Sequence, residues 1–505
     1  MRAFVEPLQE LSEYGQMVKT ADGNTGLISI TGCIDSQKPH MMYAFGNGQK
    51  NKLIVTFNEQ KAKELYEEYR FFDPDTVYYP AKDVLFYQSD IRGNVLTAER
   101  INAIKAIREQ ERVTLVTTFD ALMNTMPPAE KTWSGIIRLA PGDIIDIDEF
   151  KKKLVELGYE KDYQVETRGQ FAIRGGIIDI FPLTEENPAR IELWDDEIDT
   201  IRSFDTESQK SIENLDELVI YPACELVLTE KEKAAGIKKI TEEAEKLSDK
   251  LRKEMKTEEA YRIKSTADEL AEEWGVLQIT AGMDAFLSYF CKEKVGLLDY
   301  FPPDNTYVLF DEISRCAERG KQTETEFSES MKQRLAMGYI LPGQMKELFL
   351  EKEVMGKLAK YSCVSLSALD TKSAGLHQTG QYGIHVQSVS SYNNSFELLI
   401  KDLKKYKKNG YRVILMSGSK TRARRLAEDL MDEGFASFYT EDYDHELVAG
   451  QIMVCHGQIK RGFEYPILRF AVITESDIFG AEKKKKKRHR TYEGEQIQSF
   501  TDLSV

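Results

Sequence analysis

LISITGCIDSQKP, residues 27–39, decides how the rest of this chain is read: a short apolar run, a glycine, and a loop that ends at a lysine. A strand leading through a glycine-rich loop into a helix is where backbone amides can cradle phosphate, and the working pattern is G-x-x-x-x-G-K-[ST]. Gly32 and Lys38 stand at the right separation, but Gln37 fills the second glycine position and Pro39 the magnesium-ligating position. A side chain at the glycine keeps the backbone away from phosphate. Proline supplies neither a hydroxyl nor an N–H. The loop therefore predicts no ATPase; Gly32, Gln37, Lys38 and Pro39 are either a degenerate phosphate loop or a chance match in an ordinary one.

Working outward, KLIVTFN, TVYYP and VTLVTTF repeat the apolar run, with EQKAKELYEEYRFF and LTAERINAIKAI as helical stretches between them. Unbroken apolar strands joined by amphipathic helices predict a parallel sheet covered on both faces. This is the first part of an α/β domain, residues 1–135. From 136 to 221 one helix, EFKKKLVELGY, lies among the strands IIRLA, QFAIR, IIDIFP, ARIELW, TIRSFD and LVIYPA, predicting a small α+β insert. Gly175-Gly176 predicts a bulge or tight bend, and WDDE a hairpin turn. Residues 222–375 read as helix-rich and charged, with one buried strand, TYVLFDE, and complete the first domain. A second small α/β domain of unassigned role follows at 383–479, then a charged linker at 480–497 and the opening of another domain at 498–505.

The chain has 505 residues and a net charge of −16. A protein gripping nucleic acid over a broad surface carries a basic face, so this stretch is not expected to be a main DNA grip. No apolar run reaches the ~18 residues of a spanning helix, and the N-terminus lacks the basic and apolar regions of a signal peptide. The six cysteines are scattered without a CxxC pair and no HExxH occurs. Reduced thiols in a cytoplasmic protein are expected, with no membrane partner and no metal site.

Asp311-Glu312 closes the TYVLFDE strand, the place where helicases hold magnesium. With its partner loop broken it reads as a degenerate acidic pair or as solvated carboxylates at a strand end, and not as a catalytic site. Ser417-Gly418-Ser419-Lys420-Thr421 lacks the glycines of a phosphate loop and reads as a turn and helix N-cap. The block Lys483–Arg490, KKKKKRHR, reads as solvated linker rather than a phosphate contact. In ARIELW, alternation puts Ile191 and Leu193 on one face and Arg190, Glu192 and Trp194 on the other. Two readings stand: an exposed patch of Trp194, Arg190 and the neighbouring Arg174, residue types enriched at interface hot spots; or a Trp194 that caps the core edge while the arginines pair with Asp195 and Asp196.

The degenerate loop, followed by RGQFAIRGGIIDIFP and ARIELWDDEIDTIRSFD, resembles the N-terminal, UvrB-like half of bacterial transcription-repair coupling factors (Mfd), and more distantly the repair protein UvrB. DVLFYQSD, LFDE and LRFAVITESDIFG carry the likeness over almost the whole chain. The resemblance implies a degenerate helicase-like, P-loop NTPase-type domain interrupted by a UvrA-binding domain. The segment AKDVLFYQSDIRGNV is too short for the aromatic hairpin with which UvrB clamps DNA. Two UvrA-contacting arginines of the family fall on Arg174 and Arg190, and a family aromatic, often phenylalanine, on Trp194. The implied function is an adaptor for transcription-coupled nucleotide excision repair that recruits UvrA. RNA polymerase, double-stranded DNA, ATP and magnesium are then matters for domains expected downstream of Val505, and this stretch needs no cofactor. The alternatives are a UvrB-like ATP-dependent binder of damaged DNA and a purely structural scaffold.

Overall fold

The computed structural model describes residues 1–48, 50–82, 93–275, 282–370 and 373–480. DVLFYQSD, the KKKKKRHR block, all of the expected linker beyond Gly480 and the segment 498–505 lie outside them. Two compact units are formed. The first comprises residues 1–387 with 442–446 and 465–468; the second comprises the rest from Ser388 onward.

In the first unit the chain lays down strands β1 (Gly26–Thr31), β2 (Asn51–Thr56), β3 (Val77–Tyr79) and β4 (Thr114–Thr118), leaves that sheet, and returns to it with β13, β14 and β15. Between the two visits come β5 (Ile137–Leu139), β6 (Glu160–Lys161), β7 (Gln170–Arg174), β8 (Ile177–Ile180), β9 (Ala189–Trp194), β10 (Glu197–Phe204), β11 (Ser211–Asn214) and β12 (Leu218–Ile220). The returning strands are β13 (Thr306–Asp311), β14 (Ser362–Leu366) and β15 (Gln378–Gly383). The large sheet runs β15-β1-β14-β13-β2-β4-β3, and every pairing in it is parallel. All residues of β4, β13 and β14 are buried, which is why their sequences are apolar without alternation. Leu53, Val55, Leu115, Val308 and Phe310 share one core with Ile101 and Ile104 of helix Gly93–Glu109. Strand β14, SCVSL, escapes the sequence reading: two serines interrupt the run, yet Ser365 is buried and its Oγ accepts from the Ile313 amide at 3.1 Å. Strand β15 falls between the two expected α/β domains and joins the first sheet, so the first unit runs on to Gln387.

The six-stranded sheet, β11-β10-β9-β8-β7-β6, has one wet face and one dry one. Phe171, Ile178, Ile180, Ile191, Ile198 and Ile201 point inward and pack with Phe150 and Leu154 of helix Ile147–Glu156. The helix is started by Asp146, whose carboxylate accepts from the Glu149 amide at 2.9 Å, a capping arrangement worth about 1 kcal/mol. Gly175-Gly176 forms the two-residue turn between β7 and β8, with Gly175 at φ +61°, and Asp195-Asp196 the turn between β9 and β10. The short strands β6 and β11 were not foreseen; all four residues of β11 are exposed, so no alternation marks it.

Where the chain passes from β12 to the helical part of the unit, Glu225 is buried against a buried arginine. Arg100 Nε and Nη2 donate to it at 2.7 and 3.0 Å, and Lys82 Nζ lies 2.9 Å away. Burial pushes the Glu225 carboxyl up, but Arg100 and then Lys82 outweigh it and hold its pKa at about 2. A depressed carboxylate stabilises the fold above its unfolded value, near 4.5, and that stability is lost as pH falls toward 2. The urea midpoint should therefore drop between about pH 5 and pH 2.5. Glu225→Gln should start from a lower midpoint at neutral pH and lose less of it on acidification.

The second unit holds β16 (Arg412–Ser417), β17 (Ala436–Tyr439), β18 (Gln451–His456) and β19 (Phe470–Thr474), mutually parallel in the order β19-β16-β18-β17. Helices Phe396–Lys408 and Lys420–Asp432 cover one face through Leu399, Leu403, Ala423, Ala427 and Leu430. The N-cap expected at Ser417–Thr421 is corrected: no side-chain bond caps this helix. Ser419 sits at the N-cap without a side-chain bond, and Glu475 instead accepts from the Gly418 amide at 2.8 Å and from Ser417 Oγ at 2.9 Å.

Candidate functional site

Two places in the first unit gather the side chains that the sequence singled out. The loop after β1 is the first. Gly32 adopts φ +80°, and a Cβ built there would lie 1.9 Å from the carbonyl oxygen of Ile384. This glycine therefore makes room for the backbone that follows β15. Gln37 is buried and donates its amide to Tyr465 Oη at 2.7 Å. Lys38 and Pro39 form the first turn of helix Lys38–Ala44, both buried.

Lys38 Nζ donates to Asp311 at 2.5 Å, to Asp35 at 3.0 Å and to Glu312 at 3.2 Å. The reading of Asp311-Glu312 as solvated carboxylates is corrected here: the Asp311 side chain is 2 % exposed and bound to the loop's own lysine. Burial works against the Lys38 ammonium, but Asp311 and then Asp35 more than offset it, so its pKa rises above the ordinary lysine value. Burial likewise pushes Asp35 up, and Lys38 with Lys61 pulls it down to about 2. Among the described residues, Asp35, Asp311 and Glu312 are the one group of three carboxylates close enough to share a metal ion. They already share an ammonium, which supplies the positive charge a cation would bring. Glu312 adopts φ +61° at the head of helix Ile313–Ala336, a backbone state that disfavours a non-glycine residue by roughly 1–2 kcal/mol.

The second place is the outer face of the six-stranded sheet. Asp179 on β8 is buried, a lone acid between Ile178 and Ile180. Register puts it opposite Arg190 on β9 and Ala172 on β7. Arg190 grips it with Nε at 2.7 Å and Nη2 at 2.9 Å, and its Nη2 also donates to Gln209 at 3.0 Å. Its guanidinium lies 4.5 Å from the centre of the Phe204 ring. Hydrogen bonding to Asp179 raises the Arg190 pKa further. Arg174, half exposed, donates to Asp179 Oδ2 at 2.5 Å, an oxygen it shares with Arg190 Nη2, and to the Tyr163 carbonyl at 3.1 Å. Glu192 and Arg202 form a further pair on this face. Trp194 is 81 % exposed.

Neither reading of this patch from sequence was complete. Trp194 is away from the core edge, and the arginines do pair with an acid, but the acid is Asp179 rather than Asp195 or Asp196. A lone aspartate among isoleucines, on the strand face that alternation assigns to the arginines, was the signal available for Asp179. What the arrangement offers is a rigid, half-neutralised arginine pair near an uncovered indole, the residue types that dominate protein–protein hot spots.

Residues 137–226 match the family described as the UvrB interaction domain. The chain is 31 % identical over 458 residues to the transcription-repair-coupling factor of Bacillus subtilis (strain 168), an alignment covering 90 % of this chain and 38 % of that protein. The corresponding protein of Staphylococcus haemolyticus (strain JCSC1435) is 28 % identical over 494 residues, covering 95 % of this chain and 40 % of that one. That of Staphylococcus epidermidis (strain ATCC 12228 / FDA PCI 1200) is 27 % identical over 492 residues, with the same coverage. The chain thus spans about two fifths of the length of these curated relatives. No described helix is long and apolar enough to cross a membrane.

Proposed function

We propose that this relative of transcription-repair-coupling factors is a docking module for nucleotide excision repair, binding UvrA through the outer face of its six-stranded sheet and performing no nucleotide chemistry of its own. The observation that carries the reading is Trp194, an indole 81 % exposed on a sheet matched by the UvrB interaction domain. Covering such a ring removes on the order of 150–200 Å² of apolar surface, a gross gain of roughly 4–5 kcal/mol before ordering costs. Arg174 and Arg190 would add charged hydrogen bonds to acceptors on UvrA. The large parallel sheet, with a loop after β1 and an acidic pair at the end of β13, supports a helicase-like frame around this docking domain. RNA polymerase, duplex DNA and an ATP-driven motor, which the resemblance implies for the full-length relatives, form no part of the activity proposed for these residues.

Support for a silent nucleotide site comes from Lys38, whose three carboxylate partners leave it no free proton donor for phosphate, and from the Ile384 carbonyl against Gly32. Two titrations test the proposal together. UvrA added to the chain should give saturable binding, while ATP with magnesium should give none up to about 1 mM, an affinity weaker than about 4 kcal/mol. Micromolar ATP binding that Lys38→Ala abolishes would favour a UvrB-like ATPase instead. Absence of UvrA binding would leave a structural scaffold.

A further inference from the structure

Beyond Trp194 and the two arginines, we infer that Ile144 is a second apolar anchor of the same docking face, extending it onto the loop that precedes helix Ile147–Glu156; this rests on the UvrA-docking reading. Ile144 is 75 % exposed while its neighbour Ile145 is buried in the domain core. The two therefore point to opposite sides of the sheet, and Ile144 points outward.

Its position is set by backbone pairing. Ile144 forms an antiparallel bridge with Glu197, and Glu197 stands opposite Trp194 across the β9–β10 hairpin. Glu197 is exposed and the next residue, Ile198, is buried, so Glu197 also points outward. Directly opposed residues carry their side chains on one face, which places Ile144, Glu197 and Trp194 in a row across three neighbouring backbones. Strands lie about 4.8 Å apart, so the isoleucine and the indole flank Glu197 at roughly 10 Å from each other. Single exposed apolar residues are ordinary; two large ones in one row make a patch.

The loop is also pinned. Gly142 N donates to Ile198 O at 2.8 Å, Ile145 N to Asp196 O at 2.8 Å and Ile198 N to Asp143 O at 2.8 Å. Ile144 is thus held in place before any partner arrives, and preorganisation lowers the entropy lost on binding. It lies inside the segment matched by the UvrB interaction domain. The row carries an acidic rim of Asp195, Asp196 and Glu197, whereas Arg174 and Arg190 lie further along the face. The surface of UvrA that fits would offer an apolar socket with basic groups at one end and acidic groups at the other.

The test is calorimetric titration of purified UvrA into the full chain carrying Ile144→Asp, Ile144→Val or Trp194→Ala, with the thermal midpoint of each variant measured alongside. Ile144→Asp should weaken UvrA binding at least about fivefold with its thermal midpoint unchanged, and Ile144→Val should bind like the wild type. Wild-type affinity for Ile144→Asp alongside weakened Trp194→Ala would overturn this inference and leave the docking reading standing. Wild-type affinity for both would remove the docking reading and the anchor with it.

Discussion

Lys38→Met should lower the stability of the chain by about 3–5 kcal/mol, the usual penalty for stripping a buried charge of its partner, and should do so without changing its response to ATP. Lys38 is 3 % exposed and Asp311 2 %. In the variant Asp311 stays buried with its ammonium gone, and Glu312, held at φ +61°, loses the group it faces. The penalty should appear as a lower urea midpoint with an unchanged slope. Removing both charges at once is far milder than removing one, so Lys38→Met with Asp311→Asn should recover most of the loss. A phosphate-binding lysine would behave otherwise: its removal would leave stability nearly intact and act only when nucleotide is present.

Arg190→Ala should be the next most damaging change, at roughly 2–3 kcal/mol, because Arg174 still covers one oxygen of the buried Asp179. The arginine supplies two hydrogen bonds to that carboxylate, one to Gln209 and a stacked contact on Phe204. Arg190→Lys would keep the charge but not the planar, two-pronged grip, and should fall between alanine and wild type. Thermal unfolding of the three proteins checks the order. The consequence for function is direct: weakened UvrA binding by Arg190→Ala mixes lost contact with lost scaffold. Arg174, half exposed, and Trp194, exposed, report on the interface more cleanly. Wild-type stability for Arg190→Ala would mean that Asp179 is adequately held by Arg174 alone.

Much of this was legible in the sequence because it depends on local pattern. Apolar runs such as KLIVTFN gave the buried parallel strands, and alternation in ARIELW put Trp194 outward. Gly175-Gly176 and WDDE marked their turns. What escaped depends on residues far apart in the chain. Asp179 belongs to a strand that looks wholly apolar, and its role appears only when β7, β8 and β9 are placed side by side. Nothing near LISITG announces that Ile384 will press on Gly32, or that Asp35 and Asp311 will share the lysine between them. Strand β14 was hidden by two serines, and the bond from the Ile313 amide to Ser365 forms only when distant segments meet; Glu475 likewise holds the Ser417–Gly418 turn from more than fifty residues away.

UvrA binding by Trp194→Ala, read beside its unfolding curve, bears most directly on whether the sheet face is a docking surface. An exposed indole contributes little to the fold, so the variant should unfold like the wild type while its affinity for UvrA drops at least about tenfold, the loss expected of a hot-spot aromatic. Equal affinity from an equally stable protein would contradict the account and return the outer face of the sheet to ordinary solvent.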